Sequence, residues 1–197
     1  MILFTAGVKL YTAYRQDELL NRYHDELFRP PGSETSAPAP GDVSQWLTEH
    51  GELLPNPDRL SESSSDEDVP ILGILEIPKL NLRVAVKEGV TQETLRYSVG
   101  HFTGTALPGE AGNCVITGHR SYLWGEFFNR LDELGHGDKL ILERKGVTYV
   151  YVVMDQLVVE PEEVWVLDQG EDQALTLITC TPIRSGTHRL VVKAVLE

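Results

Sequence analysis

The sequence predicts a mostly-β domain, a sandwich or closed barrel of short strands, preceded by an N-terminal extension. Three observations predict it. From Val69 onward, short apolar, β-branched runs alternate with turn-forming glycine and proline. Few stretches of that region carry helical spacing, so many strands and few helices remain, the pattern of sandwiches and barrels. The length of 197 residues, with 41% hydrophobic and 24% charged residues, suits one globular domain plus an extension.

Residues 1–29 open with Met1 to Tyr14, apolar except for Lys9 and a few small polar residues. That run is shorter than the about 20 apolar residues a bilayer-spanning helix needs. No positive charge precedes Lys9, which argues against a signal peptide. It is either the end of a truncated membrane anchor or the buried end of a helix. The charged, helix-permissive stretch from Arg15 to Arg29 favours the anchor: Leu19, Leu20, Tyr23 and Leu27 fall at helical spacing, as in a stalk leaving an apolar segment. Residues 30–68 form a linker. Pro30 to Pro40 is Pro-rich, Asp42 to Leu54 is a short helix candidate carrying Trp46 and Leu47, and Ser61 to Asp68 is acidic and solvated.

Residues 69–197 are the compact domain. Strands are predicted at Ile71–Ile77, Leu82–Val86, Asn113–Thr117, Lys139–Glu143, Thr148–Val159, Leu175–Cys180 and Arg189–Leu196. Thr91 to Tyr97 reads as a helical turn or two, and Gly125 to Leu134 as a short helix with Phe127, Phe128, Leu131 and Leu134 on one face. Gly104, Pro108, Gly109 and Gly112 mark a long loop, and Pro182 ends pairing near Cys180.

Composition excludes several function classes. A net charge of −13 argues against a nucleic-acid surface. Two cysteines, Cys114 and Cys180, make no disulfide scaffold, and neither lies in a CxxC pair or a cluster with zinc-ligand spacing. No GxGxxG or P-loop is present, so no cofactor and no metal is expected.

The chemistry-bearing residues sit at strand ends. Cys180 closes an apolar strand at the mouth of a loop, where a thiol is presented on a rigid backbone; a small core hydrophobe is the other reading. A thiol nucleophile needs a partner at neutral pH, because free cysteine titrates at about 8.5. His119 follows the Asn113–Thr117 strand in the same way, and parallel neighbouring strands would put both residues at one end of the sheet. Arg189 starts the strand after the Cys180 loop, where a hairpin-like return brings a guanidinium near the thiol. Arg184 and His188 compete for its role, Arg120 is placed to orient His119, and Cys114 reads as a buried hydrophobe, with a Cys114–Cys180 disulfide that switches the site off under oxidation as the alternative.

Thr176–Cys180 (TLITC) resembles the TLxTC motif of sortases, the bacterial cysteine transpeptidases of cell-surface proteins. Gly73–Lys79 (GILEIPK), Pro108–Asn113 (PGEAGN), Gly118–Arg120 (GHR), Leu131–Asp138 and Thr187–Leu190 (THRL) resemble family segments in the same order, so the likeness runs from about Ile71 to Val195. It implies a closed eight-stranded β-barrel with Cys180, His119 and Arg189 as the catalytic set and Thr179 as a substrate-binding residue. It also implies cleavage of an LPXTG-like sorting signal after Thr through a Cys thioester, and transfer to an amine of peptidoglycan or a pilin. The implied partners are surface proteins or pilins carrying a C-terminal sorting signal, and the implied location is the bacterial cell membrane, on a single-pass anchor with the catalytic domain outside. No Asp-Pro-aromatic lid precedes the barrel and no apolar segment follows it, which favours a class D-like over a class C-like member. A cysteine endopeptidase using water, or a non-enzymatic barrel module, are the alternatives.

Overall fold

The computed structural model describes residues 2–27, 69–120, 126–183 and 185–197. The linker, the 42–54 helix candidate with Trp46, the acidic run and Arg184 lie outside the described residues. Eight strands are arranged in chain order as β1 (Ile71–Ile77), β2 (Leu82–Glu88), β3 (Val99–His101), β4 (Gly112–Thr117), β5 (Lys139–Arg144), β6 (Val147–Val159), β7 (Gln173–Thr181) and β8 (His188–Leu196). They close into a barrel in the order β1-β2-β3-β4-β7-β8-β6-β5, with β1 also paired to β5. Closure removes the edges that short strands would otherwise expose.

Period-2 alternation sorts each strand between two layers. On β4 and β7, Cys114, Ile116, Leu175 and Leu177 point into the barrel, where they join Leu75, Val84, Phe128, Leu140 and Val192 in the central core. Val115 and Ile178, one residue out of phase, point outward. They pack with Phe102, Val159, Val166, Leu167 and Val191 under the segment between β6 and β7. Each such side chain contributes about 1.5–3 kcal/mol when fully buried.

Seven strands were legible from alternation and the eighth, β3, was not. Three residues carry no period. Val99–His101 is a strand because it runs parallel to β2 (Val86↔Val99) and antiparallel to β4 (His101↔Ile116), which makes it the bridge between them. A parallel pair needs a crossover, and helix α2 (Gln92–Tyr97) supplies it. The Thr91 hydroxyl caps α2 by accepting from the Thr94 N–H at 3.2 Å. The expected helix at Gly125–Leu134 is instead two 3-10 turns, Glu126–Phe128 and Leu131–Glu133. Phe128, Leu131 and Leu134 still reach the core from this segment.

The N-terminal helix α1 (Ile2–Leu27) does not leave the barrel as a free stalk. Its Leu19 and Tyr23 are buried against Ile71, Ile74 and Ala85 of β1 and β2. Gln16 Oε1 accepts the Ala85 N–H at 3.3 Å, just before β2 begins to pair with β3. Tyr11 stacks edge-on against Tyr97 at 5.7 Å, and Arg15 lies over the same ring at 5.3 Å, which ties α1 to α2. No helix among the described residues is long and apolar enough to cross a membrane.

Candidate active site

The candidate site forms where β4, β7 and β8 end together. β4 and β7 are parallel neighbours, in register from Gly112↔Gln173 to Thr117↔Ile178. The same offset of 61 residues runs past the ladder through side chains. The Thr117 hydroxyl donates to Ile178 O at 3.1 Å, the Thr179 hydroxyl to Gly118 O at 2.7 Å, and Arg120 Nη1 to Thr181 Oγ1 at 3.0 Å. His119 and Cys180 occupy the rung between the last two. On the other side β7 and β8 are antiparallel, with Cys180 directly opposite Arg189. The three sequence candidates therefore stand in one row across three neighbouring strands.

Cys180 is half-buried and faces outward, whereas Thr179 faces the interior and is fully buried. Thr179 spends its hydroxyl on the Gly118 carbonyl, so it joins the two strand ends and offers no surface to a ligand. Gly118 has to be glycine because a Cβ would come within 2.8 Å of the buried Phe128 ring. Gly186 lies near the nucleophile candidate: a Cβ there would meet Cys180 Cβ at 3.5 Å, an ordinary contact, and it is the φ of +58° that favours glycine.

Arg189 is 5% exposed. Its Nη1 donates to Gly186 O at 2.8 Å and His188 O at 3.1 Å, which fixes the guanidinium on the loop that follows Cys180. Its Nε is buried with no hydrogen-bond partner among the described residues. A buried donor of a charged group without an acceptor is costly; a carbonyl or oxyanion arriving beside Cys180 would satisfy it. His119 is half-buried, and burial, with a smaller contribution from the Arg96 charge on α2, holds its imidazole below the ordinary histidine value.

Of the competing residues, His188 turns away from the row. Its Nδ1 lies 2.9 Å from Thr187 Oγ1 and its Nε2 3.1 Å from Glu160. Cys114 is buried in the central core, and burial pushes its thiol far above the ordinary range. It pairs with Leu175, five residues from Cys180 along β7 and on the opposite face, so the two cysteines are about 16 Å apart along the strand and cannot join in a disulfide. Arg96 was not singled out in the sequence. Nothing local marks it, because only the α2 crossover brings it near His119. No metal-binding cluster occurs among the described residues.

A sortase-domain family model matches residues 75–197, most of the chain. The chain belongs to the sortase family. Sortase D of Bacillus subtilis is 34% identical over 111 residues, which is 56% of this chain and 54% of that protein. Sortase SrtE1 of Streptomyces coelicolor is 34% identical over 135 residues, 60% of this chain and 38% of that protein. The matched region thus spans about half or less of these two relatives. Among solved structures, Sortase A from Corynebacterium diphtheriae superposes with a TM-score of 0.65 at 28% identity, over 79% of this chain and 80% of that one. Sortases are cysteine transpeptidases, and the match to Sortase D is consistent with a class D-like member.

Proposed function

We propose that this sortase cleaves an LPXTG-like sorting signal and transfers the acyl part to an amine. The observation that supports the reading is the meeting of His119, just past the end of β4, with Cys180 and Arg189, which stand opposite each other on β7 and β8. The Cys180 thiolate attacks the carbonyl after the Thr of the signal. The C–N bond breaks, His119 gives its proton to the departing amine, and a thioester remains. An incoming amine of peptidoglycan or a pilin then attacks the thioester, His119 takes the proton back, and Cys180 leaves as thiolate. Arg189 supplies its unspent Nε–H to the substrate carbonyl or the developing oxyanion. Thr179 serves the substrate indirectly, by holding the ends of β4 and β7 together.

Within this reading the enzyme is held at the outer face of the bacterial membrane by an anchor ending in the first residues of the chain, with α1 docked on the barrel behind it. The test is acyl-enzyme trapping with a library of sorting-type peptides, read by mass spectrometry. Wild type forms a Cys180 adduct and Cys180→Ala forms none. Added amine converts the adduct to amide in preference to acid; acid alone makes the protein an endopeptidase, and no adduct with any peptide overturns the reading.

A further inference from the structure

Two arginines flank the Cys180 strand end, and they spend their donors differently. Arg189 keeps a buried N–H unspent. Arg120, whose side chain is 6% exposed, has a partner at each of its three nitrogens. Nε donates to Asn129 O at 3.2 Å, Nη1 to Thr181 Oγ1 at 3.0 Å, and Nη2 lies 2.8 Å from Asp132 Oδ1. Each of its nitrogens is thus tied to the protein itself. The three partners belong to two separate pieces of chain: Thr181, the last residue of β7, and Asn129 and Asp132 at the 3-10 turn Leu131–Glu133.

Those anchors are firm. Thr181 follows Cys180 directly in β7. Asn129 and Asp132 flank Phe128 and Leu131, which are both fully buried in the central core. Arg130 fastens the same segment by donating to Leu80 O at 3.2 Å. His119, by contrast, is past the end of the β4 ladder, and among the described residues the last main-chain pairing before it runs from Gly118 N to Ile178 O.

We propose that Arg120 is a positioning residue for the transpeptidation: its guanidinium clamps the His119 turn to the end of the nucleophile strand and to the core-anchored 3-10 segment. The inference rests on the reading of Cys180 and His119 given above. A planar fork with donors in three directions meets all three partners at once; a lysine ammonium on a flexible stem does not. A general acid has to lie within hydrogen-bond reach of the proton it moves, and a displacement of about 1 Å costs on the order of a hundredfold in rate. The Arg96 charge on α2 acts on His119, and Arg120, its neighbour in sequence, is paired with Asp132.

The experiment compares Arg120→Ala, Arg120→Lys, Thr181→Val and Asp132→Asn with wild type, using a sorting peptide that acylates the wild type and hydroxylamine as acceptor. Arg120→Ala lowers kcat on the order of tenfold to a hundredfold with KM within about twofold. Arg120→Lys restores the melting temperature more than it restores kcat, and the two partner variants lower kcat several-fold. If Arg120→Ala does not fold, Thr181→Val and Asp132→Asn decide. Folded variants with kcat within about threefold of wild type, or losses that follow melting temperature alone, overturn the clamp. The pH profile of Cys180 alkylation by iodoacetamide separates this inference from the functional reading, since it needs no substrate. A wild type that no peptide acylates sinks the functional reading, while an alkylation profile altered in Arg120→Ala upholds the clamp and an unaltered one overturns it.

Discussion

The two cysteines stand on adjacent parallel strands of one barrel and have opposite fates. Cys114 points inward from β4, is 1% exposed, and has its thiolate suppressed by burial. Cys180 points outward at the end of β7, half-buried, near Gly186 and opposite Arg189. Neither is in a disulfide. What separates them is strand phase and rung: five residues along β7 change the face, and the strand end supplies a histidine and an arginine that the core has no means of hydrating. Reactivity here is a property of the position.

The largest expected effect breaks that comparison directly. Cys180→Ala abolishes thioester formation and lowers peptide turnover at least about a thousandfold. Cys114→Ala keeps turnover within about twofold and instead costs about 1 kcal/mol of stability, the price of a small core cavity. Iodoacetamide at neutral pH labels Cys180 alone in the native protein, as read by peptide mapping. Labelling of Cys114 first, or equal losses of turnover, would erase the distinction.

Arg189 comes next. Arg189→Ala removes the unspent buried donor and lowers kcat/KM by about a hundredfold to a thousandfold. Arg189→Lys recovers little of it, because one ammonium cannot both hold the Gly186 and His188 carbonyls and present an N–H to the site. Full recovery by lysine would reduce Arg189 to a source of positive charge.

The contrast between the cysteines was half legible in the sequence. Cys180, two residues before Pro182, reads as a strand end, and the β-branched alternation of β4, β7 and β8 is strong enough to place His119 and Arg189 at strand ends too. That β4 and β7 are parallel and adjacent is not local information. It depends on β3, a three-residue strand with no period of its own, and on the α2 crossover. For the same reason Arg96 carried no signal, and Thr179 looked like a ligand contact until its inward phase placed its hydroxyl on Gly118. The docking of α1 was likewise hidden. Leu19 and Tyr23 mark an apolar face, but helical spacing does not say whether that face meets a barrel or a membrane.

His119 gives a smaller, pH-dependent effect. Its folded pKa is below the ordinary value, so the unfolded chain takes up the proton first as pH falls. The stability tied to neutral His119 is fully present above about pH 6.5 and is lost as pH falls through the lowered folded value. Glu88 titrates in a separate, lower window. Burial pushes its carboxyl up, but hydrogen bonds from His101 and Thr103 outweigh that and hold it below the ordinary carboxylate range. Chemical denaturation of wild type between pH 7 and 5 therefore shows declining stability, and His119→Gln flattens that slope. An unchanged slope would assign the decline to another group.

The smallest effect tests whether the outer layer tunes the site. Arg96 reaches His119 from α2, and α2 is itself braced by α1 through Tyr11 and Arg15 on Tyr97. Removing the Arg96 charge favours the imidazolium, so Arg96→Gln raises the His119 pKa. The shift recovers only part of the depression, because burial is the larger cause and is left in place. The limb of the kcat/KM profile that titrates with His119 moves to higher pH by that amount, and the imidazole resonances of His119 in an NMR titration move with it. A limb that moves down, or stays fixed while the resonances shift, would mean that His119 does not set that limb. It would also undo the contrast drawn above, because Cys180 would then owe its reactivity to Arg189 alone.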